Sequence, residues 1–308
     1  MAAQASGLAR RYLERWAPQV ERTLEALLPS EQEAPEALHR AMRYSTLGGG
    51  KRLRAVLAVA GCEAVGGAGE RALALGAALE MIHAYSLIHD DLPAMDDDAF
   101  RRGKPTCHRV FGEAMALLAG DALQTLAFEV LACLPRHAGV QDATALAIVG
   151  EVARAAGSSG MAGGQAADLL AEGEPAEAAV VESIHRRKTA ALITASVVSG
   201  GVLALDRGSQ GLEDPSVRAL RRYGEAVGLA FQIVDDLLDE PAEPQTSGQG
   251  LPKGREERKA TYPRAVGLQA SRRKVDLLTQ EAVQCLQPLG TRGEVLRDLA
   301  RWLAERSG

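Results

Sequence analysis

Apolar residues along this chain return every three to four positions over long stretches, and convincing runs of strict alternation are missing. Tyr12, Trp16 and Val20 stand four apart, the spacing that stacks side chains on one face of a helix. Arg71 to Asp91 is rich in Ala and Leu, both strong helix formers. Further helix-like segments cover Glu113 to Cys133, Asp142 to Ala156, Ala176 to Val198, Val217 to Glu240 and Arg272 to Leu286. Breakers separate them at Gly48-Gly49-Gly50, Gly66-Gly67, the Pro135 region, Gly157 to Gly164 and Gly200-Gly201. The pattern predicts an all-α protein. Thr189 to Leu205 carries no charge, but Thr194, Ser196, Ser199, Gly200 and Gly201 interrupt it. It reads as a buried helix approaching its end, not as a membrane span.

No composition shift and no repeat at a solenoid period divides the 308 residues, so a single domain over 1–308 is expected. One piece is irregular. EPAEPQTSGQGLPKGREER, Glu240 to Arg258, holds three prolines and three glycines. A structureless segment of that length is expected to be a mobile active-site loop, since it follows an acidic helix end.

Composition narrows the function classes. Hydrophobic residues make up 46% and charged residues 24%, a globular balance, and the net charge of −5 leaves no basic excess for a nucleic-acid backbone. Aromatics at 4% give few stacking platforms. Cys62, Cys107, Cys133 and Cys285 are far apart and form no C-x-x-C pair, which argues against zinc and a disulfide framework. The charged N-terminus lacks the apolar core of a signal peptide. A cytoplasmic, soluble protein is expected.

The chemistry gathers in SLIHDDLPAMDDDAFRRGKPT. Asp90, Asp91, Asp96, Asp97 and Asp98 fall within nine residues and are followed by Arg101 and Arg102. His83 and Asp90, seven apart, share a helix face, and Pro93 breaks the ladder before Asp96. That break would let Asp96 swing back beside Asp90. A second cluster, GLAFQIVDDLLDE, puts Asp235 and Asp239 about 40° and about 6 Å apart on a helix, with Asp236 flanking them. Acids emerging from an apolar helix look like ligands rather than a solvated face. Hard oxygen donors without cysteine point to Mg²⁺, and two such clusters imply a phosphate-bearing substrate between them.

Basic groups complete the set. LGGGKRLR places Lys51 and Arg54 on one side of a helix expected to start after three glycines, where backbone N–H groups would add to an anion site. It is not a Walker A loop, because Arg52 follows Lys51. Arg101-Arg102 is a second basic pair suited to diphosphate oxygens. Lys188-Thr189 and Lys259 are further candidates.

These motifs, with AGDAL (119–123), GGQAADL (163–169), HRRKT (185–189) and KATYP (259–263), resemble the trans-isoprenyl diphosphate synthases, especially bacterial farnesyl diphosphate synthases. The resemblance implies the isoprenoid synthase fold, long helices around a central catalytic cavity, and a homodimer. It implies three Mg²⁺ ions, with Mn²⁺ able to substitute, on Asp90, Asp91 and Asp96 and on Asp235 and Asp239. It places the allylic diphosphate (dimethylallyl or geranyl) on Arg101, Lys188 and Lys259, and isopentenyl diphosphate on Lys51, Arg54, His83 and Arg102. Oxygens of Thr189 and Gln232 would face an allylic cation. The implied reaction is ionisation of the allylic diphosphate, condensation with isopentenyl diphosphate and loss of a proton.

Tyr85 and Ser86 stand where such enzymes build the cavity floor. The assignment of Tyr85 rests on the resemblance, because on the wheel it lies about 140° from Asp90. A bulky residue there implies a farnesyl (C15) product, with geranylgeranyl (C20) or geranyl (C10) diphosphate as alternatives and ordinary interhelical core as the other reading of Tyr85. A terpene cyclase would carry a different second metal motif, and a non-catalytic partner subunit would have lost acids or basic groups present here. His89-Asp90 alone suggests an HD-type phosphohydrolase, without the supporting histidines. Two departures from the family pattern stand out: Ala55 where proline is usual, and the unusual loop after Asp239.

Overall fold

A computed structural model describes residues 6–173, 177–239 and 260–305. The loop expected over 240–258, and Lys259 after it, lie outside the described residues. The chain is built from helices. They are α1 (Ser6–Leu27), α2 (Glu36–Thr46), α3 (Leu53–Ala64), α4 (Leu73–Asp90), α5 (Cys107–Phe111), α6 (Glu113–Ala132), α7 (Leu134–Ala138) and α8 (Asp142–Ala156). Then come α9 (Met161–Ala171), α10 (Ala178–His185), α11 (Ala191–Leu205), α12 (Pro215–Asp239), α13 (Tyr262–Val266), α14 (Leu268–Cys285) and α15 (Glu294–Ala304). A π turn, Arg186–Ala190, joins α10 to α11. A two-stranded antiparallel ribbon pairs β1 (Phe100–Arg101) with β2 (Lys104–Pro105). The all-α expectation holds.

Contacts divide the chain into two compact units. One gathers Arg10–Val149 and Ser199–Glu213, the other Met1–Ala9, Gly150–Val198 and Asp214–Gly308. In the first, α4 is the central element, with α3 and α6 packed against it. Twelve of its eighteen residues are buried, among them Leu75, Leu79, Met81 and Ile82. Each such side chain contributes about 1.5–3 kcal/mol of burial. Glu80 is a carboxylate 4% exposed in this apolar run.

In the second unit, α12 is packed on α14, α15 and the π turn. Pro215 opens α12, its fixed φ suiting a first helical position, and Asp214 accepts the Ser216 N–H at 2.9 Å. Buried Tyr223 donates to the Leu296 carbonyl at 2.8 Å, which fixes α12 on α15. The Ala9 N–H, at the start of α1, donates to the buried Asp298 carboxylate at 2.7 Å.

One expected break is not a break, and another is shorter than expected. Gly200 and Gly201 lie inside α11, which runs on to Leu205. A Cβ at Gly200 would stand 2.0 Å from the Ala58 carbonyl oxygen, so the residue serves close helix approach rather than chain reversal. Gly157 to Gly160 do separate α8 from α9, but Gly163 and Gly164 lie inside α9, and a Cβ at Gly164 would meet the Lys188 amide nitrogen at 2.2 Å. By length and composition alone, Gly69–Asp90, Glu113–Ala132 and Ala178–Leu205 could each cross a membrane. In the first and third, 72% and 78% of the apolar window is buried inside the protein. In the second the figure is 39%.

Candidate active site

The acidic turn after α4 is built by its backbone. The Asp91 N–H donates to the Leu87 carbonyl (3.0 Å), closing the helix, and Pro93 then prevents continuation. The Asp96 N–H returns to the Asp90 carbonyl at 2.8 Å, and the Asp97 N–H to Leu92 at 3.1 Å. Asp97 sits at φ 52, a left-handed conformation that Asp tolerates better than most residues. Asp90 and Asp96 are thereby brought together, both half-buried.

Asp91 stands apart from them in character. It is 4% exposed, and Arg101 donates to its Oδ1 from Nε (2.7 Å) and Nη2 (2.6 Å). Arg101 also reaches Asp98 at 3.3 Å. Burial disfavours the charged guanidinium, but hydrogen bonding to Asp91 and the charges of Asp98 and Asp90 outweigh it and hold Arg101 above the usual range. The β1–β2 ribbon presents this arginine and its neighbour. Arg102, at φ 52, donates to the Gly49 carbonyl at 2.9 Å and so ties the ribbon to the glycine loop. A cavity of about 70 Å³ lies here, lined by Tyr44, Asp91, Arg101, Arg102 and Cys107.

The glycine loop corrects one expectation. α3 begins at Leu53, so Lys51 precedes the helix, and Arg52 forms its N-cap in the left-handed region at φ 50. The amides of Arg54 and Ala55 are not left for an anion, because both donate to Glu80 Oε1, at 3.1 and 3.2 Å. Arg52, 6% exposed, is held by Glu21 (2.7 Å from Nε), the Thr46 carbonyl (2.8 Å) and Glu80 (3.7 Å). An anion at this corner must therefore be met by side chains, Lys51 and Arg54, rather than by those two amides. His83, on the following helix, is held well below the usual imidazole range. Burial is the main cause, with Arg54, Arg102, Arg101 and Arg52 adding to it. It is a neutral ring among cations.

Tyr85 is 7% exposed, with its ring edge-on to His89 at 5.8 Å between centroids. Burial and then the Asp90 charge raise its phenol. The Ser86 hydroxyl is turned back onto its own helix, donating to the His83 carbonyl at 2.9 Å.

The other unit holds the second acidic cluster and its partners. The Thr189 hydroxyl donates to Gln232 Oε1 at 2.6 Å, and Gln232 donates to Asp236 Oδ1 at 3.3 Å. Asp236 Oδ2 accepts the Tyr262 N–H at 2.8 Å, fixing the start of α13. Burial pushes the Asp236 carboxyl up to about 7, with help from Asp235 and Asp239, while its hydrogen bonds from Tyr262 and Gln232 oppose the rise. His185, 3.3 Å away, is pushed down to about 4, chiefly by burial. Asp235 is half-buried and Asp239 exposed, on the last turns of α12. Lys188 donates to Asp168 at 2.7 Å. Asp168 lies in the GGQAADL stretch but was not singled out in the sequence reading. Glu80 was also missed, although a lone carboxylate in the run LALGAALEMI was a visible signal.

Residues 35–287 match the family described as Polyprenyl synthetase. This chain belongs to the polyprenyl synthetase family. It is 45% identical over 271 residues to the farnesyl diphosphate synthase of Escherichia coli K12, covering 86% of this chain and 88% of that one. It is 43% identical over 266 residues to the Arabidopsis thaliana chloroplastic heterodimeric geranylgeranyl pyrophosphate synthase large subunit 1, covering 85% and 70%. The crystal structure of an FPP/GFPP synthase from Zymomonas mobilis matches with a TM-score of 0.84 at 35% identity, over 99% of this chain and 100% of that chain. The polyprenyl synthetase described here is thus a prenyltransferase with the isoprenoid synthase fold and trans-prenyl diphosphate synthase activity. All the site residues singled out from the sequence, Lys51 to Lys259, fall inside the matched segment.

Among the described residues, no three Asp, Glu, His or Cys side chains converge into a preformed metal cage. The donor sets are all-oxygen and small. That fits Mg²⁺, which takes one or two carboxylates and completes its shell with water and substrate phosphate.

Proposed function

We propose that this prenyltransferase condenses isopentenyl diphosphate with dimethylallyl and then geranyl diphosphate, giving (E,E)-farnesyl diphosphate. The observation that carries the reading is the turn after α4, which joins the Asp90 and Asp96 backbones at 2.8 Å beside the Arg101–Asp91 pair. We assign Asp90 and Asp96, and separately Asp235 with Asp239, to Mg²⁺, which when bound supplies positive charge to a departing diphosphate. Asp91, engaged by Arg101, positions that guanidinium instead of serving as the open ligand the sequence suggested.

The chain's own groups do the rest. Arg101 and Lys188, each fixed by a carboxylate, hold the allylic diphosphate. Lys51, Arg54 and Arg102 hold isopentenyl diphosphate, and neutral His83 adds a hydrogen bond without further charge. Because the Thr189 proton points at Gln232, the hydroxyl oxygen keeps its lone pairs for a cationic carbon. The allylic C–O bond breaks, the isopentenyl double bond forms the new C–C bond, and the departing diphosphate takes the proton lost. Support for the C15 length comes from the name of the Escherichia coli relative and from the bulk of buried Tyr85, five positions before Asp90. The Arabidopsis relative's name supports a second reading, a C20 product. A homodimer is also proposed, because α5 and α6 leave Val110, Leu117 and Leu118 at 47%, 47% and 51% exposure.

The test is to incubate the enzyme with Mg²⁺, isopentenyl diphosphate and dimethylallyl diphosphate, and to size the dephosphorylated products. A dominant C15 alcohol is expected. A dominant C20 product would overturn the length, and no prenyl product would overturn the reaction.

A further inference from the structure

Beside the turn that carries Lys188 and Thr189 lies a second cavity, of about 350 Å³, within the size range of small-molecule sites. None of the roles assigned above uses it. Arg154, Arg186 and Arg221 line it, with Glu151 and Glu225 as the only carboxylates among its lining residues. Three positive groups against two negative leave an excess of one positive charge, in a chain whose net charge is −5.

The carboxylate of Glu151 is already engaged. It is 5% exposed and accepts from Arg221 at 2.7 Å and Arg154 at 3.2 Å. Arg186 has a looser partner, Glu182 at 3.7 Å, which also takes Lys274 at 2.7 Å and the Tyr262 hydroxyl at 2.9 Å. At the cavity wall stands Thr194. It is 5% exposed, and its Oγ1 has no hydrogen-bond partner. A helical threonine can return its hydroxyl to the carbonyl one turn back, as Ser196 does to Leu192 at 2.7 Å. Thr194 does not. That oxygen lies against Gly224 of α12 and is closed to solvent, so Thr194 serves the cavity as a wall residue and its methyl as a reporter, not as a donor.

The position of the cavity gives that occupant leverage. Arg186 opens the π turn and Ala190 closes it, and both line the cavity. Lys188 and Thr189 lie between them. Single π turns inside α-helices are uncommon and gather at functional sites.

We propose that this cavity is an effector site for a small multi-oxygen anion, a compact carboxylate or phosphate compound. Arg154 and Arg186 bind the anion, Thr194 forms the adjoining wall, and Arg221 keeps Glu151 neutralised. Occupancy biases the π turn and with it Lys188 and Thr189, to the extent that the anion favours one arrangement of the turn over another. The coupling rests on the reading of Lys188 and Thr189 as substrate groups; the binding does not.

The experiment uses full-length protein with ¹³C-methyl-labelled threonine, free of metal, titrated separately with inorganic phosphate and with citrate. The Thr194 methyl is assigned by its disappearance in Thr194→Val. A saturable shift of this methyl is expected with at least one probe, and which probe acts separates phosphate from carboxylate recognition. Arg154→Gln and Arg186→Gln, at side chains 67% and 49% exposed, should each weaken the titration about tenfold or more. Movement of the Thr189 methyl in step with Thr194 supports the coupling. In turnover with Mg²⁺, the probe's effect should weaken in Arg154→Gln at an unchanged basal rate, whereas simple competition at the diphosphate sites would persist. No Thr194 shift with either probe, or a shift unaltered in both arginine variants, overturns the site. A Thr194 shift with Thr189 unmoved keeps the site and overturns the coupling. Absence of prenyl transfer in a protein that still shows the shift would sink the proposed reaction alone.

Discussion

Replacing Glu80 tests how the glycine loop is held. Its carboxylate is 4% exposed and accepts the Arg54 and Ala55 amides at 3.1 and 3.2 Å, doing from α4 what an N-cap side chain would do at the start of α3. In Glu80→Ala both amides lose their acceptor, at about 1 kcal/mol for a lost cap and more where water does not replace it. Arg52 also loses a carboxylate 3.7 Å away but keeps Glu21 and the Thr46 carbonyl, so the cost stays below the 3–5 kcal/mol of a fully orphaned buried charge. The sum is about 3 kcal/mol. At about 2–4 °C per kcal/mol for a chain somewhat smaller than this one, the melting temperature should fall roughly 6–12 °C. Glu80→Gln keeps an acceptor oxygen and should cost about 1 kcal/mol. With the loop loosened, KM for isopentenyl diphosphate should rise about tenfold, equivalent to about 1.4 kcal/mol, while KM for the allylic substrate changes little. Thermal melts and two-substrate kinetics on both variants read this out. A Glu80→Ala protein melting within a degree of wild type would refute the capping argument, and equal rises in both KM values would refute its link to Lys51 and Arg54.

Asp90→Ala and Asp235→Ala should each leave the helical circular-dichroism spectrum intact and lower kcat by at least about 10²–10³-fold, as loss of a group stabilising transition-state charge does; full turnover in either would remove that carboxylate from the metal assignment. Tyr85→Ala should lengthen the product beyond wild type, and an unchanged product would return Tyr85 to ordinary core. His83 gives a pH signature. Its folded pKa lies below the unfolded value of about 6.5, so the unfolded chain binds the extra proton as pH falls. Its contribution to stability is therefore present above about pH 6.5 and is lost on acidification, by at most about 1.4 kcal/mol per pH unit. Denaturant melts from pH 7 to 5 should be steeper in pH for wild type than for His83→Gln, and identical slopes would contradict the shift.

Helix content was legible because 3.6-residue periodicity is a local property written directly into apolar spacing. The acidic clusters were legible for a related reason: Asp90, Asp235 and Asp239 emerge from apolar helical stretches, and Pro93 announces the turn that carries Asp96. Glycines misled, since a glycine that breaks a helix and one that admits another helix look alike in sequence. Gly164 and Gly200 are of the second kind, and the distinction depends on what lies against them: the Lys188 amide in one case, the Ala58 carbonyl in the other.

The sequence by itself determined the elements, the donor types and the order of the motifs, because each depends on residues within a turn or two of one another. Tertiary structure decided which acids brace the fold. Asp91 is neutralised by Arg101 ten residues on, Asp236 caps a helix 26 residues away, and Glu80 takes amides 26 and 25 residues before it. Adjacent aspartates with the same intrinsic chemistry thus differ in role according to burial and partner, because a desolvated carboxylate must be satisfied by whatever donor the fold brings to it.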